Sequence, residues 1–589
     1  MTLARRGTSM NETGLSGMLE LINSSGDSPG ISVAFNFLRN FTIEGVEPFI
    51  QYQCLLNGLK PKITFGNYDM MHQEVLDRSS HLYSLSPDII VSALYLDTYL
   101  PEGWRAGWNA ADVMIGLSGL FTDIAQNTDA IIAVNTFVPP FYSDYGISSA
   151  KDISSNHNEV LRLNQLIREY VLSNSARFVL VDWERFVRLL GANESMDYRF
   201  WYMSKAPFKK AFLDLYALEL VKIAKALKGK SKKCLVLDCD NTLWGGIIGE
   251  DGLQGIKLDR HSYPGNIFYE FQKNILRLHE RGVLIAICSK NNEQDVWDVL
   301  NGYPDCLLKR EHLAAWRINW SDKASNINSL AAELNLGIDS FVFVDDNPVE
   351  CGLIRDMLPE VTVVQVPDKL YTYPQLLNRD GLFDTLTFSS EDRQRSQMYR
   401  NEATRKHEQA KFETMDQYLA SLSLVISVHP VKDDEVSRVA QLTQKTNQFN
   451  LTTRRYSEAK ISAFRGDTDW AVMSLFVRDK FGESGLTGVL ISRREGDTGI
   501  IDSFLMSCRI LGRNIEIAFV LEAFTILERS WGINTWRAEF IPTHKNQQVA
   551  DLWPSIGFQK LDCQDGHTFY ELPIAIPKLK PITYIEIEE

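Results

Sequence analysis

The segment Leu235-Val-Leu-Asp238-Cys-Asp240-Asn-Thr242-Leu-Trp244-Gly-Gly limits what this chain can fold into more than any other stretch. An apolar strand runs directly into two carboxylates one residue apart, and open α/β sheets bind their ligands at the carboxyl ends of strands. At such an edge one carboxylate can attack phosphorus while the other handles protons. Three further pieces follow in order: Ile287-Cys-Ser289 at a strand end, Lys323 at the start of a predicted helix, and Val342-Phe-Val-Asp345-Asp346-Asn347 closing another strand.

In this order the four pieces resemble the signature motifs of the haloacid dehalogenase (HAD) superfamily of phosphohydrolases. The resemblance implies that Asp238 is the nucleophile that forms an aspartyl-phosphate. Asp240 is then the acid that protonates the leaving oxygen and later activates water. Thr242, Ser289 and Lys323 are implied to hold phosphoryl oxygens. The same resemblance implies a Mg2+ site made by Asp238, Asp240 through its carbonyl, Asp345 and Asp346, because a small hard cation prefers oxygen ligands.

Around this core, 589 residues suggest roughly two to four domains. Short apolar segments at Ile31 to Leu38, Lys62 to Phe65, Ile89 to Leu96, Ile131 to Thr136 and Phe178 to Asp182 alternate with helical spacing such as Glu159 to Leu172. That alternation predicts a parallel sheet with helices on both faces. The expected division is a flexible N-terminus (1–29), an α/β domain (30–228), a second α/β domain (229–370), a helical connector (371–420) and an α+β domain (421–589). A net charge of −14 argues against broad binding to nucleic acid or anionic membrane. Eight cysteines without a CxxC pair indicate neither a zinc ribbon nor a secreted disulfide framework. No apolar run approaches the ~18 residues of a membrane span and the N-terminus lacks an apolar signal core, so a cytoplasmic protein is expected.

In the C-terminal region, Ile501-Asp-Ser-Phe-Leu-Met-Ser-Cys508-Arg509-Ile-Leu-Gly512-Arg513-Asn514 reads as a strand entering a turn and a helix, whose first N–H groups favour an anion. It resembles the acyl-CoA pyrophosphate loop of GNAT-type N-acetyltransferases. Arg509 and Gly512 match, while Asn514 replaces a small residue, which makes a carrier-protein phosphopantetheine arm a natural substitute ligand. Cys508, beside Arg509 and near the positive end of a helix, is the expected acyl-capturing thiol. Cys239 rivals it by position but faces the opposite side of its strand. Asn447, Gln448, Asn450, Arg454 and Arg455 lie in a stretch dense in donors, suited to a phosphorylated substrate or pantetheine.

The succession DCDNTLWGGIIGEDG, ICSKNN, VFVDDNPVE, TQKTNQFNLTTRRY and SCRILGR resembles the FkbH-like proteins, HAD phosphatases of subfamily IIIC, from about residue 198 to about 560. The resemblance implies an α/β multidomain chain with SGNH-like, HAD-like Rossmannoid and GNAT-like domains. It implies loading of a glyceryl unit from 1,3-bisphosphoglycerate onto an acyl carrier protein with loss of phosphate, for polyketide-type biosynthesis. On this reading Cys508 forms a thioester while Asp238 and Mg2+ remove the remaining phosphoryl group. Asn447, Gln448, Asn450, Arg454, Arg455, Arg509, Gly512 and Arg513 would meet the carrier and its arm. Because carrier proteins are usually acidic, Lys445 and these arginines are expected to form a local positive face. The alternative is a phosphatase of a small phosphorylated metabolite fused to an acyl-CoA-dependent N-acyltransferase; a third is a non-catalytic scaffold that recruits carriers. In the N-terminal region Gly26-Asp27-Ser28 precedes the first strand instead of following it, and no Asp-x-x-His pair closes the domain. Binding or scaffolding is therefore expected there, with Asn67, His72 and Asn135 as possible pocket residues.

Overall fold

The computed structural model describes residues 10–25, 30–84, 86–100, 108–142, 145–151, 154–378, 380–387, 398–399, 401, 405, 408–409, 411–543, 545–564, 566–573 and 582–588. The chain forms two compact units, Met1–Lys230 with Ser457–Lys460, and Ser231–Tyr456 with Ile461–Glu589.

The first unit is built on five parallel strands, β1 (Ile31–Arg39), β2 (Leu59–Phe65), β3 (Ile89–Ala93), β4 (Ile131–Asn135) and β5 (Phe178–Val181), in the order β2-β1-β3-β4-β5. β3 and β4 are buried along their whole length, as strands covered on both faces must be. The helix Asn156–Ser173 shows how the covering arises. Ser155 caps it by accepting from the Asn158 N–H, and Val160, Leu163, Ile167 and Val171 fall on one buried stripe. Within the N-terminus expected to be flexible, Met10–Ser25 form a helix, with Met18 buried. The Gly26-Asp27-Ser28 triplet lies outside the described residues.

Aromatic side chains cover part of the carboxyl edge of this sheet. Phe41, Tyr95 and Trp183, each just beyond a strand end, pack with Trp201, Phe208 and Phe212 in one aromatic cluster. Beneath it Asn40 and Asn135 are spent on backbone: Asn40 bonds both polar groups of Tyr95, and Asn135 those of Leu94. Asn135 is therefore no pocket residue. Asn67 donates to Glu74, and His72 is exposed on the helix Met71–Leu76.

The second unit contains two sheets. β6 (Cys234–Leu237), β7 (Leu284–Ser289), β8 (Leu313–Ile318), β9 (Phe341–Asp345) and β10 (Thr362–Gln365) form a parallel sheet in the order β10-β9-β6-β7-β8. Alternate residues serve opposite faces: Leu235, Leu237, Val342 and Val344 enter one core, and Cys234, Val236, Phe341 and Phe343 the other. Each fully buried aliphatic side chain contributes roughly 1.5–3 kcal/mol. β11 (Leu424–Pro430), β12 (Trp470–Asp479), β13 (Gly482–Glu495), β14 (Thr498–Met506), β15 (Thr535–Phe540), β16 (Gln559–Gln564), β17 (His567–Pro573) and β18 (Ile585–Glu588) form a mixed sheet, β16-β17-β15-β14-β13-β12-β11-β18. β14 and β15 run parallel and pair only from Thr498 to Ile501. Beyond Ile501 the two strands part. Of the connector expected to be helical, Leu370–Asn378 form a 3-10 helix and Met415–Ser421 an α-helix, while residues 388–397 lie outside the described residues.

Candidate active site

The centre of the first sheet of the second unit places the acidic motif. β6 lies between β9 and β7, and Asp238 follows it directly, its N–H donating to the Val344 carbonyl at 3.0 Å. Asp345 ends β9 alongside. Lys323 starts the helix Lys323–Leu334, which Asp322 caps by accepting from the Ser325 N–H. This cap sets the lysine beneath both strands, where its Nζ lies 2.9 Å from Asp238 and 2.6 Å from Asp345. Burial works against the ammonium, but the two carboxylates more than offset it and raise its pKa.

Asp238, Asp345 and Asp346 each offer an oxygen within 4.8 Å of the others. Burial raises all three pKa values. Asp238 is pushed up to about 6, with the Asp345 charge adding to the effect of burial, and Asp346 feels the Asp238 charge in turn. Three carboxylates against one ammonium leave surplus negative charge. That donor set fits a small divalent cation with oxygen ligands.

Asp240 stands outside this cluster. Its carboxylate accepts from Trp244 Nε1 at 2.9 Å, the Ile248 N–H at 3.0 Å and Asn291 Nδ2 at 3.0 Å. Its side chain is thus no metal ligand, and only its carbonyl is left for that role. Asn291 also reaches Ser289 Oγ at 3.1 Å, and Ser289 bonds Asp238, so one buried amide aligns the proposed acid with the proposed nucleophile's neighbour. Asn241, at φ +52°, folds the turn back by accepting from Gly246 and bonds Asp346 through its side chain. Sequence reasoning missed Asn241 and Asn291, although their amides stand beside the two motifs they organise. Thr242 is corrected: it is fully buried, its hydroxyl meets no partner, and its carbonyl accepts from Tyr373, so it holds no phosphoryl oxygen. Cys239 is buried in a core, and burial with the Asp238 charge pushes its thiol well up, away from nucleophile range.

The amide-rich stretch of the C-terminal domain turns inward. Residues Phe449 to Leu451 enter the gap where β14 and β15 part. The Leu451 N–H donates to Phe504, the Met506 N–H to Phe449, and the Ile541 N–H to Leu451. Asn450, fully buried, accepts from the Thr453 N–H and donates to Thr446. Arg454 pairs with Asp502 and Glu539, and Arg455 bonds Thr443, Gln444 and Asn447; burial lowers Arg455 to about 10. Arg513 is buried against Asp479. The expected positive face of Arg454, Arg455 and Arg513 is therefore corrected, because their charges serve internal partners. Asn450 is corrected likewise as a ligand residue. Gly512, at φ +77°, lies in an exposed turn.

Cys508 is not beside the start of the α-helix. It opens a short turn, Cys508–Ile510, and the next helix begins at Ile515. Its carbonyl accepts from Asn335 Nδ2 at 2.8 Å, and its sulfur lies 3.6 Å from the Tyr399 hydroxyl. Together with Asn447, Gln448 and Arg509 it lines a cavity of about 310 Å3 that also includes Lys233, Asp339 and Ser340. Lys233 and Ser340 precede β6 and β9, whereas Asp238 and Asp345 lie five residues further along. At ~3.3 Å per strand residue, the cavity and the carboxylate cluster are roughly 16 Å apart on opposite edges of one sheet.

No protein-family model matches this chain, and no curated protein matches it. Among solved structures, the N-terminal part of the protein BF1531 from Bacteroides fragilis, which contains a phosphatase domain and is complexed with Mg, is 25% identical with a TM-score of 0.58, covering 63% of this chain and 99% of that one. The ribosomal-protein-S18-alanine N-acetyltransferase from Escherichia coli is 14% identical over 25% of this chain and 94% of that one, at a TM-score of 0.21. The GNAT domain of S. lividans PAT is 16% identical over 25% of this chain and 89% of that one, also at 0.21. Overall, the chain is an α/β multidomain protein with a parallel, phosphatase-like sheet followed by an eight-stranded mixed sheet.

Proposed function

We propose that the Asp238 centre is a Mg2+-dependent phosphohydrolase, and that the chain uses it on 1,3-bisphosphoglycerate while loading a glyceryl unit onto an acyl carrier protein. The observation that carries the first half is the convergence of Asp238, Asp345, Asp346 and Lys323 at one strand edge, with Ser289 and Asp240 beside them. The Mg-complexed Bacteroides phosphatase-domain structure supports the choice of ion. Held by Asp238, Asp345 and Asp346, Mg2+ supplies charge neutralisation for an incoming phosphoryl group. Lys323 and Ser289 bind phosphoryl oxygens. The Asp238 carboxylate attacks phosphorus, the bond to the leaving oxygen breaks, and Asp240 delivers a proton to that oxygen. Water then attacks the same phosphorus, Asp240 takes up its proton, and phosphate leaves as the Asp238 carboxylate is restored.

The glyceryl half rests on the motif resemblance. With Cys508 on the opposite edge, thioester formation and phosphate removal would be separate binding events and not one concerted turnover. An acyl-CoA-dependent N-acyltransferase is the weaker reading, because backbone groups of β14 at the strand gap, the Phe504 carbonyl and the Met506 N–H, are already paired within the chain. Phosphate release from acetyl phosphate and 1,3-bisphosphoglycerate, and the mass of holo-carrier after incubation, test the two halves. Release from acetyl phosphate should fall to background in Asp238→Asn or with chelator, release from 1,3-bisphosphoglycerate should fall to the one phosphate displaced at the thioester step, and the carrier should gain one glyceryl unit. Equal release by Asp238→Asn refutes the first half, and an unchanged carrier mass refutes the second.

A further inference from the structure

The cavity at the amino edge of β6 and β9 differs in charge from everything else described above. Among the described residues it is lined by Lys233, Arg438, Lys445, Arg509 and Lys545 against Asp339 and Glu360, five cations to two carboxylates in a chain of net charge −14. Arg438 and Arg509 are each more than nine-tenths buried. The local field also acts on Asp339. Burial alone would raise its carboxyl, yet Lys545, Lys232 and Lys233 together hold it below the usual range. Asn447, Gln448, Ser340 and Ser507 add uncharged polar groups to the wall.

Size narrows the ligand. At ~30 Å3 per liquid water, 310 Å3 is the room of about ten waters, the lower end of ligand-pocket volumes. That space admits a small metabolite. Lys545 pairs with Asp339, Lys233 donates to the Lys445 carbonyl, and Arg438 and Arg509 bond Gln441 and Ser507, yet the wall keeps a net positive charge, and guanidinium and ammonium groups around so small a volume suit the oxygens of a phosphate group. We propose that this cavity is a second anion-binding site that takes a small phosphate monoester, separate from the carboxylate centre on the opposite edge of the sheet. The two sites are opposite in sign, so removing divalent metal leaves the carboxylate centre repelling phosphate while the basic cavity still attracts it.

The molecule carries its own reporter. Cys508 lines the cavity, Cys563 is exposed elsewhere on β16, and the other six cysteines are buried. Wild-type protein in EDTA is alkylated with iodoacetate or with iodoacetamide, reagents of similar size that differ in charge, and each site is followed by peptide mass spectrometry. The iodoacetate-to-iodoacetamide rate ratio at Cys508 should exceed that at Cys563 by about 10-fold, the lower end of what a focused field does to an on-rate. 3-Phosphoglycerate should then slow alkylation of Cys508 and leave Cys563 unchanged, with protection weakened in Lys445→Gln and kept in Lys445→Arg. Protection by inorganic phosphate as well supports a site that reads the phosphate group alone, and protection by 3-phosphoglycerate only supports one that reads the whole ester. Equal rate ratios at the two cysteines, or no protection by either anion, overturn the site. Because no turnover is measured, this result is independent of whether Asp238 hydrolyses phosphate.

Discussion

Replacing Lys323 by methionine removes the ammonium that pairs with two buried carboxylates, and its cost can be worked from the geometry. At 2.9 Å to Asp238 and 2.6 Å to Asp345, with an effective dielectric of about 20, each attraction is worth about 6 kcal/mol before desolvation is subtracted. Breaking a buried pair by deleting one partner costs about 3–5 kcal/mol net, because the remaining charges stay buried. That loss must depend on pH. Asp238 has its folded pKa raised above the unfolded value, to about 6, so its contribution to stability is present below about pH 4 and is lost as pH rises through 6. Without Lys323 the carboxyls hold their protons to still higher pH. The variant is therefore penalised most at pH 7.5 and least at pH 5. A chain with two compact units does not unfold in one step, so the measurement is amide hydrogen exchange in β6 and β9, with β1 as an internal reference. In EDTA at pH 7.5, protection in β6 and β9 should fall by about 3–5 kcal/mol while β1 is unchanged, and the difference should shrink at pH 5. Equal protection in variant and wild type at pH 7.5, or a loss that does not shrink at pH 5, would refute the reasoning.

Asn291→Ala frees the Asp240 carboxylate and should lower kcat for phosphate release by about 10- to 100-fold, part of what a positioned acid–base group contributes, with KM little changed. Asn241→Gly keeps the positive φ but loses the side chain that bonds Asp346, and should weaken Mg2+ activation by about 10- to 100-fold in a metal titration. Asn450→Ala leaves the Thr453 N–H without its acceptor, and exchange protection at the Leu451 and Met506 amides should fall by about 1–3 kcal/mol.

The central strands β6 and β9 were readable because they are buried on both faces and therefore written as apolar runs, whereas the partly buried strand β10 left no such run. The acidic centre was readable for a related reason: a carboxylate that ends such a run lies at the sheet edge whatever the loops do. The C-terminal domain was harder, because side-chain partners there are set by tertiary contacts. Arg454 and Arg455 look like a basic surface until Asp502 and Glu539 are seen beside the first and backbone carbonyls around the second. Cys508 looks like a strand-end thiol near a helix, yet its carbonyl is held by Asn335, 173 residues earlier, which ties it to the other sheet. Local spacing carries no record of such partners. Thr242 fails differently, since its motif position suggests a phosphate contact while its side chain is fully buried.

The two edges of the β6–β9 sheet impose an order on any chemistry that uses both. Asp238 and the cavity that Cys508 lines are separated along the strands by about 16 Å, which is longer than a three-carbon bisphosphate. One bound molecule therefore cannot meet both groups. The charges reinforce the separation, since the Asp238 edge gathers three carboxylates and the Cys508 edge gathers five cations. If both proposed sites bind phosphate, a metal-free carboxylate edge would repel the anion that the basic edge attracts, and divalent metal would govern whether phosphate is bound on one side of the sheet or on both. If an acyl group is carried on Cys508, it is loaded and waits there while dephosphorylation proceeds elsewhere, and the two activities are coupled by diffusion of an intermediate and not by shared catalytic groups.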